Sequence, residues 1–451
     1  MDTFKKKPTI AIAGSSGFVG KWFIETFHET FNIIALSRKE VKSTLRNNVD
    51  WRTVDLYSLS ETTEALEGAD YALYLIHSMS PSTRLNQGSF EDTDILLADN
   101  FAKAAAKQKL KQIIYLGGII PETTSVLSAH LRSRLEVEEI FSGGLIPSTA
   151  LRASIIIGPG GSSFEMMTGL INKLPVLGCP KWTSSECQPL DVRYLMKVFA
   201  QVIGNSAFYD QSIDIGGQEI VTYRQLLESC ARAMGKRRAF ISVPINSVGF
   251  SKWWVAQFSS TSIELVSPLI DSLTHNMKMV HPDARIQLSD TTLEDSISYA
   301  LSGKAPDLPL RSIAPEEKNT VRSIQRLTAT RNQTAYEVGK LYPEWLSTIS
   351  LGIIKTIQTD NRYEVKLLGI KILELTEVAE KSNQDRLVYF VTGGALVKRT
   401  EHGWLEFRSV LGGRHIMVAL HEFVPRISWP FYRVTQAVLH LWVTKWFNRS
   451  I

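Results

Sequence analysis

Cysteine is scarce: Cys179, Cys187 and Cys230 are the only three in 451 residues, and they form neither an even-numbered framework nor a metal-ligand spacing. A disulfide-stapled secreted fold therefore has no support, no metal site is expected, and a reducing, cytoplasmic compartment fits best. The start, MDTFKKKPTIAIAG, runs from three lysines straight into a short strand, without the apolar stretch and cleavage site of a signal peptide. A Gly-x-Ser-x-Gly elbow, a Walker loop and a His-Glu-x-x-His signature are absent, so hydrolase, nucleotide triphosphatase and metalloprotease readings lose their footing. His402, His415, His421 and His440 are scattered without ligand spacing and are expected to be structural. Net charge is only +5, with 21% charged and 44% hydrophobic residues, which excludes global disorder. The basic residues do not form a stripe on a nucleic-acid module, so no nucleic-acid partner is expected.

What is present is enough chain for two or three cores. The first 160 residues alternate short β-rich runs (TIAIA, NIIAL, YALYLIH, QIIYLGG) with amphipathic stretches, the rhythm of βαβ units and a parallel sheet. A substrate lobe is expected mainly from about residue 160 to 301. The proline-bearing stretch 302–320 lacks periodicity and predicts a linker. Residues 321–451 predict an α+β domain: a helical segment at 336–357, three β-rich runs, a hairpin at Gly412-Gly413, and a closing helix at 430–447. Its architectural analogue is the helix-grip lipid-binding domain. The basicity sits at the end, where residues 386–451 hold nine Lys/Arg against three Glu, together with Trp404, Trp429, Trp442 and Trp446.

Gly14-Ser15-Ser16-Gly17-Phe18-Val19-Gly20 follows the first strand and opens the first helix, the context in which a glycine pattern becomes a dinucleotide site. Gly14 permits the turn, Gly17 admits a pyrophosphate to the backbone, and Gly20 allows close helix–strand packing. The helix N-terminus then faces the phosphates. The second strand ends in Ser37-Arg38-Lys39, where an NAD-specific site usually has an acid for the ribose 2′-hydroxyl. NADP is favoured, with NAD left open, because the planar fork of Arg38 suits a 2′-phosphate. Asp55 and Leu56, and Ile76, His77 and Ser78, are positional candidates for the adenine and ribose sides.

These residues, with YLIHSM at 74–79, HLRSR at 130–134 and LRASIIIGPGGSSFEMM at 151–167, resemble atypical short-chain dehydrogenases. The resemblance is to NAD(P)H-binding, NmrA-like bacterial proteins with an appended C-terminal domain, and it extends over GWLEFRSVLGGRHIMVALHEFVPRISWPFYRVTQAVLHLWVTKWF. It implies a Rossmann fold and an oxidoreductase that reduces a small carbonyl or quinone-type acceptor. Orthodox members carry a Tyr and a Lys four residues apart; here the matching positions hold His130 and Arg134, and Gly117-Gly118 replace the upstream serine. His130 is the candidate proton carrier, and Arg134 the contact to cofactor or an anionic substrate. The same replacements suit a non-catalytic NADP(H) sensor or assembly protein equally well. Tyr336 and Lys340 repeat the spacing beyond the linker, outside the nucleotide domain, and are read as a chance match.

Glu165 and Asp191 are candidates to orient a substrate, although caps and surface carboxylates are the commoner outcome, and Ser162 or Ser163 read as caps. Along the closing helix Arg433, Gln436, His440 and Thr444 recur at helical spacing. They leave Val434, Val438, Leu441 and Trp442 on an apolar face that is expected to pack into its own sheet. The alternative is peripheral membrane contact through Trp429, Trp442 and Trp446 with Arg426, Lys445 and Arg449.

Overall fold

The computed structural model describes residues 7–41, 47–78, 85–122, 127–243, 270–308, 320–328, 333–349, 353–400, 403–427, 432 and 436–451. The chain divides into two compact units, Met1–Ser80 with Leu97–Ala314, and Pro81–Leu96 with Pro315–Ile451. Segment 81–96 thus groups with the C-terminal residues, a return that nothing in the local pattern announces, and most of the expected linker (309–319) lies outside the described residues.

Unit 1 is a Rossmann-type α/β fold. Its strands are β1 (Thr9–Ala13), β2 (Asn32–Ser37), β3 (Val49–Thr53), β4 (Tyr71–Tyr74), β5 (Gln112–Gly118), β6 (Ser148–Ala153) and β7 (Gln211–Ile215). They form one sheet in the order β7-β6-β5-β4-β1-β2-β3, with every adjacent pair parallel. The runs that lack alternation are the buried ones: Ile10 to Ala13 and Ile33 to Leu36 are at most 3% exposed. Helices cover both faces: α1 (Phe18–Phe27), α2 (Leu59–Ala65), α3 (Phe90–Lys107), α4 (Ala129–Ser142) and α6 (Val192–Val202). Strand order reverses between β1 and β4, and in open α/β sheets the crevice at that point takes the ligand. A second hydrophobic cluster forms the lobe, with Phe164, Leu170 and Ile171 of α5 (Ser162–Lys173) against Tyr223, Leu226 and Cys230 of α7 (Tyr223–Ala233).

Unit 2 is an antiparallel sheet with helices. Its strands are β8 (Val321–Thr328), β9 (Ile354–Thr359), β10 (Arg362–Leu367), β11 (Ile370–Glu377), β12 (Arg386–Gly393), β13 (Trp404–Val410) and β14 (His415–Phe423). They run in the order β9-β10-β11-β12-β13-β14-β8, and the short strand Leu85–Gln87 adds to β8 in parallel. Gly412 and Gly413, at φ +64° and +85°, make the turn between β13 and β14. The expected helix at 336–357 is shorter: α8 spans Ala335–Ile349, and 354–359 is a strand, because the alternation of IKTIQT outweighs helical spacing.

The closing helix, α9 (Gln436–Ser450), corrects one expectation. Phe447 is fully buried against Tyr342, Trp345 and Phe407, which fixes the rotation of the helix. Thr444, expected on the polar stripe, is therefore buried at 1% exposure, whereas Trp442, expected inside, is 58% exposed and Trp446 45%. Trp429, His402, Arg433 and Val434 lie outside the described residues, as do the side chains of Gln436, Val438, His440 and Leu441.

Candidate active site

The loop after β1 is shaped by backbone demands. Gly14 sits at φ +96°, and the Gly17 N–H donates to the Gly14 carbonyl at 3.0 Å to close the turn. A Cβ on Gly20 would stand 2.4 Å from the Gly14 carbonyl oxygen and 2.7 Å from the Ser15 Cα, so only glycine lets α1 approach the loop. Gly17 caps α1 with no side-chain hydrogen bond, in contrast to the Ser and Thr caps of α2, α4 and α7. The first-turn N–H groups of α1 are thus left to a ligand, and this uncapped glycine cradle fits a dinucleotide pyrophosphate. Ser15 is buried, and its hydroxyl donates to the Leu36 carbonyl at 2.6 Å, so it locks the loop to β2 and offers a ligand only its backbone.

A cleft of about 360 Å³ opens beside this loop. Gly14, Gly17, Phe18 and Val19 line one end, and His77 and Gly117-Gly118 follow from the ends of β4 and β5. His130 and Arg134 enter from successive turns at the start of α4. Their placement rests on buried ionic contacts lower in the helix: Arg152 of β6 holds Glu138 of α4 at 2.6 and 2.9 Å, and Ser212 of β7 donates to the same carboxylate at 2.5 Å. Across the cleft stand Ser162, Ser163, Tyr223 and Ser272. Burial pushes the Tyr223 phenol well above its ordinary value, so it stands in the wall as a protonated phenol.

Within the cleft the His77 and His130 rings lie 4.9 Å apart, 31° from parallel. Nδ1 of His130 is 2.7 Å from the Ser272 hydroxyl, which is itself 3.1 Å from that of Ser128. Ser128 is the N-cap of α4 and accepts the Leu131 N–H at 3.3 Å. Arg134 is 8% exposed, with Nη1 at 3.5 Å from both the Ile76 carbonyl and the Tyr115 hydroxyl. Among the described lining residues Arg134, His77 and His130 are those able to carry positive charge.

The remaining candidates take other positions. Ser37 and the exposed Arg38 end β2, and the Ser37 hydroxyl accepts the Lys39 N–H at 3.2 Å. Asp55 holds a turn through the Tyr57 N–H at 3.2 Å, and the buried Leu56 offers its carbonyl to Asn100 at 2.8 Å. Ser16 is exposed on the glycine loop, and Ser78 is half-buried beyond β4. Glu165 is exposed in the first turn of α5, whose cap is Gly161, so neither Ser162 nor Ser163 is the cap. Asp191 is the N-cap of α6, buried, and paired with Arg193 at 2.7 Å. Tyr336 and Lys340 both engage Glu377 within unit 2. His421 is fully buried, stacked on Trp404 at 4.5 Å, with Nε2 at 3.2 Å from Glu406. Ser272 was invisible to sequence reasoning, since it meets His130 from 142 residues away. Ser128 carried a signal, a serine just ahead of a helix, but no hint of its second partner.

Comparison with known proteins places this geometry. Residues 10–127 match the NAD dependent epimerase/dehydratase family. Auxiliary protein GraX of Staphylococcus aureus is 29% identical over 113 residues, which cover 25% of this chain and 37% of that protein, so the match spans about a third of the relative. The enzyme WbmG of Bordetella bronchiseptica, solved in complex with NAD, aligns at a TM-score of 0.50 and 11% identity over 67% of this chain and 95% of its own. A nucleoside-diphosphate-sugar epimerase of Staphylococcus aureus aligns at 0.50 and 14% over 64% and 99%. Triphenylmethane reductase of Citrobacter sp. aligns at 0.51 and 19% over 65% and 99%. At these identities the structural likeness is one of fold. The glycine loop, the all-parallel sheet and these alignments agree on a Rossmann fold for the N-terminal unit, and within it residues 10–127 are similar to the NAD dependent epimerase/dehydratase family.

Proposed function

We propose that unit 1 is an NADP(H)-dependent reductase of a small carbonyl or quinone-type acceptor. The observation that carries this reading is that His130 and Arg134 line the same cleft as Gly14 and Gly17. In the family the bound nicotinamide supplies or accepts a hydride. The chain's own part is to hold the pyrophosphate at the N-terminus of α1, to keep water from the apolar wall formed by Leu116, Ile155 and Leu273, and to deliver a proton from His130. Arg134 draws electron density toward the acceptor oxygen or holds an anionic group on the substrate. Preference for NADP follows from Arg38 at the end of β2, where an acid would repel the 2′-phosphate. Incubation with NADPH and a panel of quinones and aldehydes tests the reading, and oxidation of NADPH is the expected result. Tight NADPH binding without oxidation of any acceptor favours the second reading, a non-catalytic NADP(H) sensor or assembly protein, which the replacement of Tyr and Lys by His130 and Arg134 supports.

Unit 2 is further proposed to touch membranes peripherally. Trp442, Lys445, Trp446 and Arg449 recur at i, i+3, i+4 and i+7 and are all exposed, which gives one face of α9 two indoles and two cations. That mixture suits an anionic interface. Among the described residues no helix is long and apolar enough to cross a membrane.

A further inference from the structure

We infer that Ser128, Ser272 and His130 form a proton relay that feeds the cleft from the N-terminal cap of α4, with Ser272 as its positioning residue. The inference rests on the reductase reading above. Three heavy-atom separations carry it: Nδ1 of His130 to Ser272 Oγ at 2.7 Å, Ser272 Oγ to Ser128 Oγ at 3.1 Å, and the Leu131 N–H to Ser128 Oγ at 3.3 Å. Both hydroxyls can turn, so the chain is sound in either direction. With each hydroxyl pointing toward the ring, Ser128 donates to Ser272, Ser272 donates to Nδ1, and Nε2 of a neutral imidazole keeps its hydrogen.

That arrangement lets His130 give up a proton without the ring changing charge, beside the His77 ring 4.9 Å away and Arg134 one turn along α4 in the same cleft. As hydride reaches the acceptor carbon and the carbon–oxygen π pair moves onto oxygen, that oxygen takes the Nε2 proton. Nδ1 then takes the Ser272 hydroxyl proton, and Ser272 takes that of Ser128. Ser128, half-buried at the helix end, recovers a proton from solvent. The sum is one hydride from NADPH and one solvent proton added across the acceptor double bond, and the ring changes tautomer without changing charge.

The test uses the full-length protein with imidazole ¹⁵N labels and three variants, Ser272→Ala, Ser272→Thr and Ser128→Ala. Expected are a displaced His130 Nδ1 resonance in Ser272→Ala, recovery in Ser272→Thr, and unchanged NADPH affinity in all three. In turnover, Ser272→Ala should lower kcat by roughly 10- to 100-fold with little change in KM, the range of positioned proton transfer, and alter the solvent isotope effect on kcat. Identical His130 nitrogen shifts in wild type and Ser272→Ala would overturn the relay, as would displaced shifts with unaltered kcat and isotope effect. If the wild type oxidises no NADPH with any acceptor, the reductase reading fails. The nitrogen shifts then still decide whether the hydroxyl chain reaches His130.

Discussion

Arg152 and Glu138 meet through two hydrogen bonds, Nε to Oε2 at 2.9 Å and Nη2 to Oε1 at 2.6 Å, with side chains only 13% and 8% exposed. The pair joins β6 to the middle of α4, the helix whose first turns carry His130 and Arg134. Burial alone would lower the Arg152 value, but Glu138 and Asp214 outweigh it and hold the guanidinium charged. Glu138→Gln should therefore destabilise unit 1 by about 3 kcal/mol, since a buried cation loses its bidentate partner. Replacing both together, Glu138→Leu with Arg152→Met, should recover more than half of that. Urea denaturation, with hydrogen exchange of α4 amides to localise the loss, measures it; a double variant no better than the single sinks the argument.

Gly20→Ala forces a methyl to within 2.4 Å of the Gly14 carbonyl. The neighbour is backbone and cannot rotate away, so the glycine loop itself must move. NADPH affinity should fall by at least tenfold, on the order of 1.4 kcal/mol, while far-ultraviolet circular dichroism stays that of a folded chain. Unchanged affinity would remove the loop from the cofactor site.

Arg38→Glu at the end of β2 should repel a 2′-phosphate and turn the cofactor preference toward NAD(H) by about tenfold or more at low salt. Arg38 is exposed, so the effect should shrink as ionic strength rises. Equal binding of both cofactors by the wild type, with neither affinity altered in the variant, excludes the NADP assignment.

Glu406 links unit 2 to pH. It is fully buried among Arg386 at 2.6 Å, Arg408 at 3.1 Å and His421 at 3.2 Å. Burial pushes its carboxyl up, but Arg408, Arg386 and His421 outweigh burial and hold it well below the ordinary 4.5. A folded-state value below the unfolded one stabilises above the unfolded value and is lost as pH falls from there through the folded value. The unit 2 unfolding transition should therefore drop steeply below about pH 4.5. In Glu406→Gln the transition should already be lower at pH 7, by about 3 to 5 kcal/mol, and the acid slope shallower. Parallel pH profiles for variant and wild type would contradict this.

How much of this was legible follows from which contacts are local. TIAIA, the glycine loop after it and the following helix announce themselves because strand, turn and helix N-terminus adjoin in sequence, and the parallel order follows from the βα rhythm. Asp191 reads as a cap for the same reason. The partner of His130 did not, because Ser272 comes from a helical stretch 142 residues further along the chain, and one serine in a helix has no signature that names such a partner. Nor did the strand Val321–Thr328, whose sequence VRSIQRLT places Arg322 and Arg326 beside apolar residues. Arg326 is matched by Asp92 at 2.9 Å, a partner that sequence spacing cannot supply. Helix α9 shows the same limit, since hydropathy alone proposed Trp442 for the interior, while Phe447 and its aromatic neighbours decide the rotation.

That rotation makes the membrane proposal testable. With Phe447 buried, the opposite face of α9 presents Trp442 and Trp446, their rings 5.7 Å apart, beside Lys445 and Arg449. Indoles favour the headgroup layer, and each cation near an anionic surface contributes about 1 kcal/mol at low salt. Two cations and two indoles amount to weak, reversible attachment. In flotation, full-length protein should rise with phosphatidylglycerol vesicles at low salt, remain behind with phosphatidylcholine vesicles, and be released as salt screens the charge. Trp442→Ala with Trp446→Ala should abolish flotation without lowering NADPH affinity, because both residues lie outside the nucleotide unit. If wild-type protein fails to float at any salt, or sedimentation shows the Trp face consumed by a second copy of the chain, the bilayer is not its partner.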